Sequence, residues 1–422
     1  MNISFLHQVT EISLIFTIFA CEKHRVMTRT LTHTIKQLFI AFAFIAMALL
    51  PARADEARVS LLTCSPGEEV YELFGHTALR YTDDNSDIVF GYGYFSFNTP
   101  NFVWRFILGE TDYMAGAVDY SSFIEEYRLR GAGVTEQIIP LDSLQKEQLL
   151  RALITNCRME NRVYRYNYFY NNCTTKIRDI LIEHIGAGNI AYNAPLQAAT
   201  IREALAAHTA VQPWSEFGIN LLLGADIDAP ATSDVLQFLP AYLMNDFATA
   251  QITKEAGSHP LVSEQNELLQ PVEKAKTPNH LTPFNCALLL LLFTMIIMLC
   301  EVRSHRVFWG YDILLMGAQG LAGTLLLFMA TCSQHPAVDN NFLLIWLNPL
   351  PLLLLPLHIY CAIKHKRPTF MWIQVAMVTA FIASAPFVPQ HYPAPIFIFS
   401  ASILVRSIFH IYRERICELS LY

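Results

Sequence analysis

Hydrophobic and polar positions fall into three regimes along the chain. From residue 281 onward, apolar residues run almost unbroken through five stretches, at about 283–300, 309–331, 342–362, 369–389 and 394–412. Each can supply the roughly 20 residues that a membrane-spanning helix needs. The third carries Pro349, Pro351 and Pro356, which a membrane helix tolerates but which should bend it. Between about 55 and 250 the text changes to short elements. Strand-like segments occupy 58–63, 77–81 and 88–97, the last two joined as a hairpin by Asp83-Asp84-Asn85-Ser86. Helical text follows at 102–108, 121–130, 143–156 and 174–185. In the last of these Ile177, Ile180, Leu181 and Ile185 share one face and Gly186 marks the stop. The expected architecture is an α+β domain large enough to bury its own core, followed by an all-α bundle of about five transmembrane helices. Residues 251–280 contain Gly257, Ser258, Pro260, Pro271 and Pro278 and lack a helical period, so they read as a polar linker between domain and bundle.

The third regime is the first 54 residues. Met27 offers a second start, Arg29 and Lys36 precede an apolar run at 38–50, and Ala52 and Ala54 follow it. That layout predicts a cleaved signal peptide ending near Ala54, because the run is too short to span a bilayer unaided. Ile18-Phe19-Ala20-Cys21 gives a weaker lipobox reading, since no Lys or Arg precedes its apolar stretch.

Charge agrees with this division. The 422 residues are 53% hydrophobic and only 15% charged, against about 25% charged in ordinary soluble domains. Net charge is +3 over 1–54, −13 over 55–280 and +3 over 281–422. An acidic domain without a basic run argues against nucleic acid as a partner. Arg303 and Arg306 follow the first apolar stretch, Lys364, Lys366 and Arg367 the third, and Arg413 and Arg415 the fifth, while the intervening turns 333–341 and 389–393 have neither Lys nor Arg. By the positive-inside rule the basic turns and the C-terminus are cytoplasmic and the 55–250 domain is exported. In a bacterium this means a multi-pass inner-membrane protein with a periplasmic domain. Asp312, near the cytoplasmic edge of the second stretch, is expected to reach water.

The exported domain holds three cysteines, Cys64, Cys157 and Cys173, an odd number for a compartment where disulfides persist. Pairing of Cys64 with Cys157 is open. Cys173 follows Asn171-Asn172 at the start of the 174–185 helix, with Asn172 as an apparent cap. Unpaired amides and the helix dipole there favour a thiolate over a thiol of ordinary pKa, about 8.5. A structural cysteine beside an Asn cap is the competing reading. A nucleophilic cysteine needs a base, and His76 in Leu73-Phe74-Gly75-His76-Thr77-Ala78-Leu79 is the best candidate. His184 lies eleven residues further along the same helix as Cys173, roughly 16 Å away, and His208 lies in a polar helix, so both read as surface groups. The aromatics Tyr92, Tyr94, Phe95, Phe97, Phe102, Trp104 and Phe106 could line an apolar groove or form core. Tyr164, Tyr166, Tyr168 and Tyr170 alternate as if on one strand face. Asp228 could cap or orient a neighbour.

The segments "SPGEEVYELFGHTALR", "GYGYFSF", "FVWRFILG" and "YRYNYFYNNCTTKIRDIL" resemble the periplasmic domain of the Lnb-type bacterial lipoprotein N-acyltransferases. "PWSEFGINLLLGADID", "FLPAYL" and "HPAVDNNFLLIWLNPLPLLLLP" are similar as well, so the resemblance covers residues 57–422. The order His before Cys resembles the permuted branch of the NlpC/P60 papain-like superfamily, which implies that kind of fold for the exported domain. By motif, the resemblance implies Cys173 as the acyl-accepting nucleophile and His76 as its general base. The chain departs from the pattern in carrying Ser96 where an acidic residue is expected in the strand after the histidine, and Asn171 rather than an acid before the cysteine. Ser96, Asn98 or a backbone carbonyl is left to orient His76. His335, in the outward turn 333–341, resembles a family position and could meet a lipid headgroup or the leaving group; a solvated loop histidine is the other reading.

What the resemblance implies is acyl transfer from a phospholipid in the bilayer, through a Cys173 thioester, to the α-amine of a diacylglyceryl lipoprotein. That chemistry calls for no metal and no other cofactor. Two alternatives stand beside it. One is a membrane-tethered cysteine hydrolase of cell-wall peptides; the other is a non-catalytic lipoprotein-binding membrane protein.

Overall fold

The computed structural model describes Lys36 and residues 57–186, 190–254, 257–272, 280–364, 366 and 368–419, with side chains of the last helix described to residue 413. The signal-region reading, with Met27 and Ala54, lies outside the described residues. Residues 57–422 form one compact unit.

Seven antiparallel strands make the main sheet. β1 (Arg58–Cys64), β2 (His76–Thr82) and β3 (Asp87–Tyr94) are where alternation placed them. β4 (Asp112–Asp119), β5 (Val134–Ile139), β6 (Val163–Arg165) and β10 (Glu264–Leu269) complete the order β10-β5-β1-β2-β3-β4-β6. β7 (Ile190–Ala191), β8 (Gln251–Lys254) and β9 (Gly257–Pro260) form a small second sheet. Residues 251–269, read from sequence as the start of a linker, are therefore largely strand. β10 is a polar edge strand whose only sheet neighbour is β5, so its sequence shows no buried face.

The helices of this part are α1 (Phe102–Leu108), α2 (Tyr120–Arg130), α3 (Ser143–Cys157), α4 (Cys173–Ile185), α5 (Ile201–Thr209), α6 (Pro213–Leu222), α7 (Ser233–Leu236) and α8 (Pro240–Thr249). Alternating strand residues feed the two faces of the sheet. Val59, Leu61, Leu79 and Phe90 pack with Leu149 and Leu153 of α3, Ile177 and Leu181 of α4, and Phe247 of α8. Leu62, Cys64, Ala78 and Val89 pack with Phe123 and Tyr127 of α2. A second cluster joins Phe169 to α5, α7 and α8. There Arg202 holds the Asp228 carboxylate at 2.8 Å, which is the task Asp228 performs.

The bundle comprises α9 (Pro283–Ser304), α10 (Trp309–Cys332), α11 (Leu350–Ile363), α12 (Met371–Ser384) and α13 (Ala394–Leu419). Among the described residues four helical segments are long and apolar enough to cross a membrane. The fourth apolar stretch departs from expectation. α12 has 14 residues and reaches about 21 Å, because Pro386 and Pro389 stop it. The third stretch is broken, with a 3-10 turn at Phe342–Ile345 before α11, as its prolines require. Asp312 corrects the sequence reading most sharply. It is 2% exposed and accepts from Arg406 Nε at 2.6 Å, so it does not reach water.

The sheet domain is clasped to the bundle through the turn 333–341. Gln334 N–H donates to Leu108 O at 2.8 Å and Ser333 Oγ to Ile107 O at 2.7 Å. On the other side Gly224 N–H donates to Ala337 O and Ala225 N–H to Asn340 O, at 2.8 and 2.9 Å. Gly109 permits the approach. Its φ is +71°, and a Cβ there would sit 2.6 Å from His335 N. Trp104 of α1 packs at a tilt against Phe328 of α10 with ring centres 5.3 Å apart, so α1 touches a membrane helix.

Candidate functional site

α4 begins at Cys173 because Asn172 is a complete cap. Its Oδ1 accepts from the amides of Thr174 and Thr175, both at 2.9 Å, and its own amide donates to Thr175 Oγ1 at 2.8 Å. Its Nδ2 donates to the carbonyls of Tyr168 and Phe238. Every polar atom of Asn172 is thus spent on holding the helix start. The Cys173 amide is one of the first-turn donors that helix geometry leaves without an intrahelical acceptor.

β2 delivers His76 to the same place. Cys64 of β1 stands opposite His76 in the ladder, and Thr77 Oγ1 lies 3.1 Å from Thr174 Oγ1, pinning the strand start to the helix start. The buried His76 side chain lies beside Cys173, near enough for each to shift the other's proton affinity, and Cys173 Sγ lies 3.7 Å from Thr174 Oγ1. Burial alone would raise the thiol. The charge and hydrogen bond of His76, with help from Thr174 and Thr77, outweigh it and hold Cys173 below the ordinary thiol range. Burial pulls His76 down, but the Cys173 charge and hydrogen bond carry it above the ordinary imidazole range. Each group thus shifts the other toward its charged form. Cys64 shows the contrast: with burial dominant and only Tyr127 as hydrogen-bond partner, its thiol is pushed far up. All described cysteines are free, so Cys64 and Cys157 are unpaired with each other.

Aromatic rings wall the pair. Gly93, at φ +94° in a bulge between Tyr92 and Tyr94, brings β3 against it; a Cβ there would touch Cys173 Cβ at 3.4 Å and Tyr166 at 3.7 Å. From Tyr166 ring contacts continue to Tyr113 (4.0 Å), Phe95 (5.0 Å) and the exposed Phe97 (4.9 Å). Another branch runs from Tyr166 to Tyr168 (5.3 Å) and His335 (5.6 Å). Burial keeps Tyr164, Tyr166 and Tyr168 as neutral phenols. Tyr170 leaves the row, since only Val163–Arg165 is strand and Asn167 turns the chain by accepting from the amides of Phe169 and Tyr170.

Chain comparisons place these residues in a family. The Lnb N-terminal periplasmic domain model matches residues 49–207, and the Lnb transmembrane domain model matches residues 275–415. The chain belongs to the Lnb family. No curated protein and no solved structure matches it. As an Lnb protein it is an inner-membrane protein with a periplasmic N-terminal domain, in contact with the lipid bilayer through its helices.

Of the residues singled out from sequence, the fold brings His76 and Cys173 together and gives Asn172 a capping task. Ser96 and Asn98 are not joined to His76. Both are exposed, and Ser96 Oγ instead accepts from Asn98 N–H at 3.2 Å within the loop after β3. No carboxylate is hydrogen-bonded to His76 among the described residues; Glu126 and Arg130 of α2 act on it only through charge. His335 is not a solvated loop residue. Its Nε2 meets Phe106 O and its ring packs on Phe106 and Tyr168, with burial lowering its pKa. His184 and His208 each bond a carbonyl one turn back, at 2.8 and 2.9 Å. Thr77 and Thr174 were missed, although each directly follows a singled-out residue, and Tyr166, read only as one of an alternating row, stands beside Gly93 next to the sulfur. A surface cavity of about 530 Å³, lined by Tyr170, Arg178, Asp234 and others, includes neither His76 nor Cys173.

Proposed function

We propose that this Lnb protein is a lipoprotein N-acyltransferase in which Cys173 is the nucleophile and His76 its general base and acid. The observation that carries the proposal is the juxtaposition of His76, at the start of β2, with Cys173, at the head of α4, pinned by the Thr77–Thr174 contact, with the thiol held down and the imidazole held up. Cys173 Sγ attacks an ester carbonyl of a membrane phospholipid, and His76 gives its proton to the departing glycerol oxygen. A lysophospholipid leaves and the acyl group remains as a thioester. The neutral α-amine of a diacylglyceryl-cysteine lipoprotein then attacks the thioester, His76 takes the amine proton, and the thiolate is released as the amide forms. The Cys173 amide is positioned to donate to the oxyanion. The order His76 before Cys173, with the cysteine opening a helix, supports a permuted papain-like pairing.

Placement beside the bilayer fits a lipid donor. Trp104 packs on a membrane helix, and the ring row from Phe97 to Tyr166 offers an apolar approach to the sulfur. Cys173 is 9% exposed, so the ester reaches it only when its surroundings give way. With the domain periplasmic, the basic turns and the C-terminus lie in the cytoplasm. The test is mass spectrometry of lipoprotein N-termini from cells with and without the protein. Loss of N-acylation, restored by the wild type and not by Cys173→Ser, is expected; unchanged N-acylation in a strain with no second copy would overturn the reading. A peptidyl rather than fatty adduct on Cys173 would favour the hydrolase.

A further inference from the structure

A second group of ionisable side chains is sealed inside the bundle. Glu301 of α9, Asp312 of α10, His358 of α11, and Arg406 and His410 of α13 are all buried. Arg406 grips both carboxylates. Nη1 and Nη2 donate to Glu301 at 2.9 and 2.8 Å, and Nε and Nη2 donate to Asp312 at 2.6 and 2.9 Å. Two carboxylates against one guanidinium leave one negative charge uncompensated in a low-dielectric interior, where an unbalanced charge is costly.

The two imidazoles sit where a balancing cation would be. His410 Nε2 is 2.9 Å from Asp312 Oδ1 and His358 Nε2 is 3.4 Å from Asp312 Oδ2. Those are approaches by distance only; the angles of a hydrogen bond are not met, and His358 Nδ1 lacks a partner as well. At 2% and 8% exposure, neither ring can turn to water for compensation. One ligand atom each from Asp312, His358 and His410 lies within 4.8 Å of the others. Side-chain shifts of about an ångström would bring that span to the roughly 3.3–3.6 Å that separates ligand atoms bound tetrahedrally to zinc at about 2.0–2.2 Å.

We infer that Asp312, His358 and His410 bind a divalent first-row transition cation, with zinc the best match to two imidazoles and one carboxylate. Calcium and magnesium take oxygen ligands and do not fit this donor set. Arg406 acts behind the ligands, fixing the Asp312 carboxylate by two hydrogen bonds, as partners of metal-bound carboxylates do. A proton on one imidazole would balance the charge but leave the other ring unpartnered; a divalent cation carrying a hydroxide at its open fourth position reaches the same neutral total and satisfies both rings and the carboxylate together. Asp312 opens α10, and the clasp to the sheet domain follows its other end, about 30 Å away at the helical rise. The cation therefore stands apart from Cys173 and staples α10, α11 and α13, with α9 attached through Arg406.

The test uses the full chain without a histidine tag, purified in detergent without chelators. Elemental mass spectrometry should find roughly one zinc per chain, and cobalt added after chelation should give the visible absorption bands of a nitrogen- and oxygen-ligated Co²⁺. The His358→Ala/His410→Ala double variant should lose both signals. If that variant cannot be purified, the wild type decides alone: chelation should lower its melting temperature and added zinc should restore it. Zinc content no higher than in the double variant, or a chelated wild type that takes up no cobalt and melts unchanged, overturns the inference. The result is independent of whether Cys173 transfers acyl groups.

Discussion

The two buried polar centres of this protein solve the same problem in opposite ways. Around Arg406 the charges are permanent, and four charge-assisted hydrogen bonds tie the guanidinium to Glu301 and Asp312. At Cys173 the charges are conditional. Thiol and imidazole can each gain or lose a proton, each shifts the other toward its charged form, and Thr174 Oγ1 lies 3.7 Å from the sulfur. A centre built from fixed charges holds helices together; a centre whose charge depends on one shared proton can react. Sequence position does not reveal which is which. Geometry does, because Asn172 spends its whole side chain on the helix start and leaves the Cys173 amide free of that cap.

That contrast can be broken most directly at the sulfur. Cys173→Ala should lower acyl transfer by on the order of 10⁴-fold or more while shifting the melting temperature little; a large loss of stability with activity retained would make Cys173 a packing residue. At His76 the contrast can be sharpened by pH. In the wild type, alkylation of Cys173 should begin at a pH below that of an ordinary thiol, because the thiolate forms as pH rises through a lowered pKa. Transfer should fall again as pH rises through the elevated His76 pKa and the acid is lost, giving a bell-shaped kcat/KM profile. His76→Ala removes the largest influence opposing burial, so its alkylation midpoint should move upward; an unchanged midpoint would contradict the pairing.

At the fixed-charge centre the expected effect is on stability. Arg406→Ala strands two buried carboxylates and should cost about 3–5 kcal/mol, read by unfolding in detergent, while the alkylation midpoint of Cys173 in the folded fraction stays put. A smaller effect is expected at the cap. Asn172→Ala removes two acceptor contacts and should cost about 1–2 kcal/mol, together with slower alkylation of Cys173. Least affected should be the clasp. His335→Ala loses one hydrogen bond to Phe106 O and should cost roughly 1 kcal/mol. Burial lowers the His335 pKa more than the bond to Phe106 O raises it, so acidification from the ordinary imidazole range down through the lowered pKa should destabilise the buried placement of the ring, read as a lower melting temperature that His335→Ala does not show.

Local features were legible in the sequence where the physics is local. β1, β2 and β3 follow from alternation and a polar turn, and α4 from a face of Ile and Leu between Asn172 and Gly186. β4 escaped because Ala115, Gly116 and Ala117 carry no strong apolar alternation; its place is set by pairing with β3. β10 escaped because an edge strand with polar residues on both faces looks like linker. At the candidate site, His76 and Cys173 stood out by their neighbours, whereas the ring wall depends on the bulge at Gly93, which no spacing announces. Asp312 was misread for a related reason. A carboxylate near a helix end suggests water, and its actual partner, Arg406, is 94 residues away.

The central claim is that Cys173 carries the acyl group between donor and acceptor. Its most direct test is the intact mass of the purified protein after incubation with phospholipid in the absence of any lipoprotein. The wild type should gain the mass of one fatty acyl chain, mapped to the peptide holding Cys173, cleaved by hydroxylamine and discharged by an added diacylglyceryl peptide. A protein that N-acylates the peptide without ever carrying that adduct, or that carries it equally as Cys173→Ala, would contradict the account.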